Sequence, residues 1–293
     1  MTHHFISHVN PKLSHYHFEN GATSFRVFPH LGGSLLEWIH DETHILSPFP
    51  ISDEGYDHYK AFYASSILFP FPNRLKDGKF SHEGHRYDLP MNEVSHANAI
   101  HGCVSNRTFT VSEVSDTSIS LEYEHTLNTD FPFAFSLQVG YKFSLKGMSV
   151  TFRATNLDPK SFPFGLGWHP YFNLKDDTES ILFFKSNTTY VTDAKMIPKE
   201  AQDVSIQSLP LKDALLDTAF HLDHPEVILK TKEYQLKMQT PGFDFLQLFI
   251  PEDRKSIAIE PMTCVANAFN NGIGKMILKP ETSNECTVEL SLL

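Results

Sequence analysis

The stretch FSLQVGYKFSL, residues 135–145, sets Phe135, Leu137, Val139, Tyr141, Phe143 and Leu145 against Ser136, Gln138, Gly140, Lys142 and Ser144. A strict period of two, with large apolar groups on one side, describes a strand with one buried and one wet face. SISLEYEH (118–125) repeats the pattern through Ile119, Leu121 and Tyr123, and MSVTFRAT, VILKTKEYQLKMQT, DFLQLFI and SIAIE follow it less cleanly. KFSHEGHRYDL reads as two short strands turning at Glu83-Gly84. Helical spacing is nearly absent; only LKDALLDTAF (211–220) has room for a turn or two. Eighteen prolines and fourteen glycines punctuate the strands, and no repeat, low-complexity tract or linker interrupts them. The expectation is an all-β chain, one large antiparallel β-sandwich domain over residues 1–293, with function on loops and wet strand faces.

Composition narrows the partners. The chain has 293 residues, 41% hydrophobic, enough for a large core. Its 24 Lys plus Arg against 35 Asp plus Glu leave a net charge of −11. That balance argues against nucleic acid, whose binding rests on clustered cations. Cys103, Cys264 and Cys286 are widely spaced and odd in number, which suggests neither a disulfide framework nor a metal site. The N-terminal residues contain no signal-like apolar run, and no stretch has the length of a membrane span. We therefore expect a cytoplasmic protein acting on a small molecule, as a monomer or a homodimer.

Four segments stand out from the strand background. FPFPNRLKDGKF (69–80) carries Arg74 behind two stiffening prolines, and SHANAIHGCV (95–104) carries His96 and His101. GLGWHPYFNL (165–174) wedges His169 between Trp168 and Pro170, and IAIEPMTCVANAFNNG (257–272) ends an apolar run on Glu260. Arg74 taken alone reads as a solvated charge, His96 as a turn residue bonded to backbone, and His169 as a satisfied core imidazole. Glu260 is different, because a buried unpaired charge is costly enough to need a reason. Pro261 is expected to forbid regular continuation of its strand. HDETH (40–44) and HEGH (82–85) mimic metalloprotease spacing but lie among strands, where the rings share no helical face. No nucleophile elbow, phosphate loop or dinucleotide fingerprint is present. What remains is acid–base chemistry without a cofactor or metal.

Taken in order, these segments resemble the aldose 1-epimerase (mutarotase) family, nearly end to end. HLGGSLLEW, ILFPFPNRLKDGKF, HANAIHG, HPYFNL, LLDTAFHL, LQLF, IAIEPMTCVANAFNNG and GKMILKP each look like a family segment. HPYFNL and EPMT at their separation are the specific ones; Gly102-Cys103 stands where the family often has Gly-Gly. The resemblance implies a galactose-mutarotase-like sandwich, no cofactor, and a sugar site lined by Arg74, His101, His169, Asp217, Gln247 and Glu260. Asp213 and Asp223 flank Asp217 closely enough to compete for its place.

Anomer exchange needs one proton taken from the anomeric hydroxyl O1 and one given to the ring oxygen O5. Unperturbed pKa values near ~4.3 and ~6.5 suit a carboxylate as base and an imidazolium as acid, hence Glu260 and His169. Arg74 and His101 would share the developing negative charge, and Asp217 and Gln247 would bond sugar hydroxyls. Two other readings stay open: an epimerase of hexose 6-phosphates using Arg74 with Arg86 or Lys76, and a non-catalytic carbohydrate-binding relative.

Overall fold

A computed structural model of the chain describes residues 1–175 and 178–293. Strand Phe135–Ser144 forms as its pattern requires: Phe135, Leu137, Val139, Tyr141 and Phe143 are buried, while Gln138, Lys142 and Ser144 are exposed. It pairs antiparallel with Ser118–His125 on one side and Gly147–Asn156 on the other. Register sets Val139 opposite Leu121 and Phe152, and Tyr141 opposite Ile119 and Val150, so one face of the meander is continuously apolar.

From Gly147–Asn156 the pairing runs on through Ser283–Leu292, Gln235–Gln239, Glu226–Lys230 and Ile181–Thr192. It continues through Asp217–His221, Phe245–Phe249, Ser256–Met262 and Gly167–Trp168 to Ile67–Leu68, the far end of a fifteen-stranded sheet. That sheet is folded over on itself. Phe69, just past its last strand, meets Phe135 edge-on at 4.7 Å, and one apolar cluster holds Leu137 and Val139 together with Leu246, Leu248, Ile257 and Ile259. A second sheet of five sequential strands, from Thr2–Ile6 to Thr43–His44, packs on the far end of that same apolar face. Its Phe18 and Phe25 rings lie 4.7 and 4.5 Å from Phe143, and the Tyr141 hydroxyl donates to the Gly33 carbonyl at 2.8 Å. The architecture is the large all-β sandwich expected from the alternation. No helix among the described residues is long and apolar enough to cross a membrane.

Four local expectations change, each for a tertiary reason. Residues 211–220 hold no helix: Asp217–His221 is a strand paired with Phe245–Phe249, and Phe220 enters the core. Sheet pairing outweighs a weak helical preference there. The longest helix among the described residues is Asp53–Phe62, capped by Ser52, whose Oγ accepts the Gly55 N–H, and ended by Tyr63 at φ 52°. It is short and buries little beyond Tyr59, so its apolar stripe is thin. VILKTKEYQLKMQT is two strands, Glu226–Lys230 and Gln235–Gln239, joined where the Thr231 hydroxyl accepts the N–H groups of Glu233 and Tyr234.

The fourth change matters most. Strand Ser256–Met262 runs straight through Pro261, which pairs with Leu246. The Ile259 N–H points to the Pro170 carbonyl at 3.3 Å and the Thr263 N–H to the Leu166 carbonyl at 2.8 Å. By alternation a donor on residue 261 would face that same side, between Gly167–Trp168 and Tyr171–Asn173, where the neighbouring chain breaks. Proline therefore removes a donor that has no ladder partner to lose. The break is where His169 sits.

Phe135→Ala should lower the unfolding free energy by about 3–5 kcal/mol, since it empties the junction between the sheet's two ends. Denaturant titration against the parent chain measures it.

Candidate active site

The site begins as a row on one sheet face. Gln247 stands opposite Glu260, Phe249 opposite both Asp217 and Ala258, and Tyr171 opposite Ala258. Residues paired across a ladder share a face, and every second residue returns to it. Asp217, Gln247, Glu260 and Tyr171 therefore rise on one side, while Leu246, Leu248, Ile257 and Ile259 enter the core on the other. His169 joins the row from the break two residues before Tyr171. Its ring stacks on Tyr171 at 4.9 Å, and its backbone is held by Ser65 and Ser66.

Loops supply the opposite wall. The short ladder of Arg74–Lys76 with Asn98–Ile100 places Arg74 opposite Ile100, one residue before His101. Asn73 and His101 both adopt left-handed backbone, at φ 55° and 62°, and bond each other: the His101 N–H donates to the Asn73 carbonyl, and the Asn73 N–H to His101 Nδ1 at 3.2 Å. Two such residues in contact mark strain retained by the surrounding structure. Gly102 follows at φ 68°, and a side-chain carbon there would collide with the Phe69 carbonyl. Because Nδ1 accepts, Nε2 carries the proton of the neutral ring, and His101 presents a donor.

These two walls enclose a cleft of about 470 Å³ lined by Arg74, His101, His169, Asp217, Gln247 and Glu260. All six residues expected at the site are brought together. Asp217 lines the cleft, and neither Asp213 nor Asp223 does. His169 Nε2 lies 3.4 Å from Glu260 Oε1, too long for a strong hydrogen bond, and Glu260 Oε2 has no protein partner among the described residues. Gln247 Nε2 donates to Asp217 Oδ1 at 2.6 Å, and Arg74 Nη2 stands 4.0 Å from Asp217 Oδ2. Of the aromatic neighbours, Trp168 is fully buried and donates to the Ser65 carbonyl, and Phe172 belongs to the core. Tyr171 both packs and lines the cleft.

Burial reverses the ordinary order of acidities. Glu260, 2% exposed, is pushed well above the usual carboxylate range by desolvation and by the nearby Asp217 charge, with Arg74 opposing. Desolvation pulls His169 down to about 3, and pulls His101 well below its usual value with help from His169 and Arg74. Asp217 is raised by burial despite Arg74. The empty pair thus holds one proton, on Glu260, and the carboxylate–imidazolium form expected from free-residue values is the minor tautomer.

Sequence reasoning missed Glu93, Asn73 and Tyr63. Glu93 accepts from Arg74 Nε at 2.9 Å, so Arg74 is no solvated charge; its side chain is 12% exposed. His96 sits at a turn but bonds side chains, Glu93 and Ser95, rather than backbone. An acid, Glu93, three residues before the histidine that opens HANAIHG was the available signal. A larger cavity of about 1250 Å³ lies across Phe62, Tyr171 and Phe249, but its ionisable residues Glu54, His58, Lys175, Glu252, Asp253 and Lys255 are all exposed. Perturbed, buried groups single out the smaller cleft.

Known proteins match this frame. The family model described as aldose 1-epimerase matches residues 14–291. YihR of Escherichia coli strain K12, an uncharacterised protein, is 28% identical over 263 residues, covering 85% of this chain and 84% of its own. A galactose mutarotase-like protein from Clostridium acetobutylicum superposes with a TM-score of 0.85 at 21% identity, covering 96% of this chain and 95% of its own. Galactose 1-epimerase from Lactobacillus acidophilus NCFM does so with a TM-score of 0.82 at 17% identity, covering 100% and 98%. At such identities the structures speak to the fold alone.

The raised Glu260 has a consequence for stability. The folded chain keeps its proton to higher pH than the unfolded chain, so stability falls as pH rises from the ordinary carboxylate range through the folded value. Glu260→Gln lacks this loss, whereas His169, neutral in both folded forms, contributes equally. Between about pH 5 and about pH 8 the parent should lose ~2 °C or more of melting temperature relative to Glu260→Gln. Parallel melting curves check it.

Proposed function

The chain belongs to the aldose 1-epimerase family, and on that premise we propose that it interconverts the α and β anomers of a free aldohexose through proton transfers at Glu260 and His169. The observation that carries this reading is the buried pair itself: an imidazole nitrogen and a carboxyl oxygen 3.4 Å apart on the cleft floor, with Glu260 Oε2 unpartnered. O1 and O5 of a pyranose are bonded to the same carbon, so two groups this close reach both.

When the sugar binds, its anomeric hydroxyl donates to Glu260 Oε2. Hydrogen bonds to a carboxylate favour its charged form, so the shared proton passes to His169 Nε2. Glu260 then removes the O1 proton as His169 protonates O5, the C1–O5 bond breaks, and an open aldehyde remains. That open-chain stage leaves the proton on Glu260 and His169 neutral, the tautomer that burial already favours. After rotation about C1–C2, His169 takes the proton back from O5, Glu260 returns one to the carbonyl oxygen, and the ring closes as the other anomer. Each positioned transfer is worth roughly 10² to 10⁴ in rate. The His101 Nε2–H and the Arg74 guanidinium stabilise negative charge growing on oxygen during opening. Asp217 and Gln247, fixed against each other, bond the sugar hydroxyls.

Charge supports a neutral substrate over a hexose 6-phosphate. Of the cations lining the cleft, Arg74 is held by Glu93 and the rim Lys60 by Asp57, Asp217 adds a further negative charge, and Lys76 and Arg86 do not reach it. A mere binding module would gain nothing from a desolvated acid and base, whose burial opposes folding.

Polarimetry on freshly dissolved glucose and galactose tests the assignment. Glu260→Gln and His169→Asn should each slow anomer exchange at least ~10²-fold with unchanged circular dichroism; near-parental rates in either variant would refute its role. The parental rate should fall on the alkaline side only, where the raised Glu260 finally loses its proton, with no separate histidine limb, because burial holds His169 down. A step near ~6.5 would mean a free histidine is titrating instead.

A further inference from the structure

We propose that Glu93 is a positioning residue of this cleft: it grips Arg74 through Nε and so holds the guanidinium off Asp217 and Glu260. The inference rests on the reading of Glu260 and His169 as the proton-transfer pair.

Glu93 is itself firmly held. One carboxylate oxygen accepts from Arg74 Nε at 2.9 Å and from His96 Nδ1 at 3.0 Å, and the other from Asn98 Nδ2 at 3.0 Å. Asn98 is fully buried and gives a further amide hydrogen to the Lys195 carbonyl at 3.0 Å, while its Oδ1 accepts from the Asp77 N–H. A chain of anchors therefore runs from the backbone of the turn at Lys195 through Asn98 and Glu93 to Arg74. Burial pushes the Glu93 carboxyl up, but the bonds from Asn98, Arg74 and His96 and the Arg74 charge outweigh it and leave it below the usual range. It is ionised at neutral pH.

The alternative partner of Arg74 is close. Its Nη2 is 4.0 Å from Asp217 Oδ2, a gap that a small rotation would close into an arginine–carboxylate fork. Such a fork would cover two groups that face the sugar. It would also neutralise the Asp217 charge that helps Glu260 keep its proton. The groups facing Glu260 are His169, Asp217 and Arg74, with His101 and Tyr171 beside them; those facing Glu93 are Arg74, His96, Tyr63 and, across the cleft, Asp217. Arg74 and Asp217 belong to both sets and link the two carboxyls.

Glu93→Gln keeps the size and an acceptor but removes the charge. In the full chain carrying ¹³C-carboxyl glutamate, with the Glu260 signal identified by its loss in Glu260→Gln, the Glu260 titration midpoint should fall by about one pH unit in Glu93→Gln. An unchanged midpoint would overturn the proposal, and this measurement needs no catalysis. In polarimetry the same variant should raise KM roughly tenfold, the equivalent of one charged hydrogen bond, and bring the alkaline fall in rate to lower pH. A rate loss that tracks the melting temperature, with KM and the alkaline limb unmoved, would reduce Glu93 to a structural role. Should Glu93→Gln fail to fold, Glu93→Asp is read in the same way, with a smaller fall expected and an unchanged midpoint again overturning the proposal. A parent chain without anomer exchange would sink the proposed function while the carboxyl titration still decides Glu93.

Discussion

Glu260 sits in an interior strand of the long sheet, with Gln247 beside it on one neighbour and His169 in the gap of the other. An ionised carboxylate left there without partners would cost several kcal/mol. Burial answers that penalty by favouring the protonated carboxyl over a paired charge: among the described residues Oε2 meets no protein donor, and the imidazole stands off at 3.4 Å. A carboxyl held back from ionising by burial responds to every charge placed near it. The other cleft residues act on that condition: Asp217 strengthens it, Arg74 weakens it, and Glu93 limits how far Arg74 can do so.

Two kinds of backbone hold the groups in place, for different reasons. Glu260, His169, Asp217 and Gln247 stand on, or directly beside, strands whose opposite faces are packed in the core, so their spacing is set by the ladder. Arg74 and His101, on the opposite wall, come from a short ladder and a left-handed turn. There the Asn73–His101 hydrogen bonds and the side-chain-free Gly102 allow a close approach to Phe69. Precision on the sheet side and tight local conformation on the loop side converge on one cleft of about 470 Å³.

Some of this was legible in the residues themselves. Alternation in residues 135–145 led to the sandwich, because burying one face of a pleated strand demands it. Glu260 was conspicuous as an acid closing an apolar run, and the motif resemblance located Arg74, His101, His169, Asp217 and Gln247. Other features were not legible. Asp217 sits in a segment whose local preference is weakly helical, and it is a strand only because Phe245–Phe249 pairs with it. Pro261 looked like a strand stop, and it continues the strand because the neighbouring chain breaks beside it. Glu93 lay in an unremarkable loop until Arg74, nineteen residues earlier, was seen to be its partner.

The amino-acid sequence by itself determined which face of each strand is apolar, hence the all-β frame, and which side chains capable of acid–base chemistry exist. Side-chain alternation is a property of the backbone and is carried by each segment alone. Only the tertiary structure decided which charges meet and which are dehydrated, and so where the proton resides. Desolvation and Coulomb energies depend on distances through space, and Glu260, His169, Asp217 and Arg74 become neighbours only when the long sheet folds over.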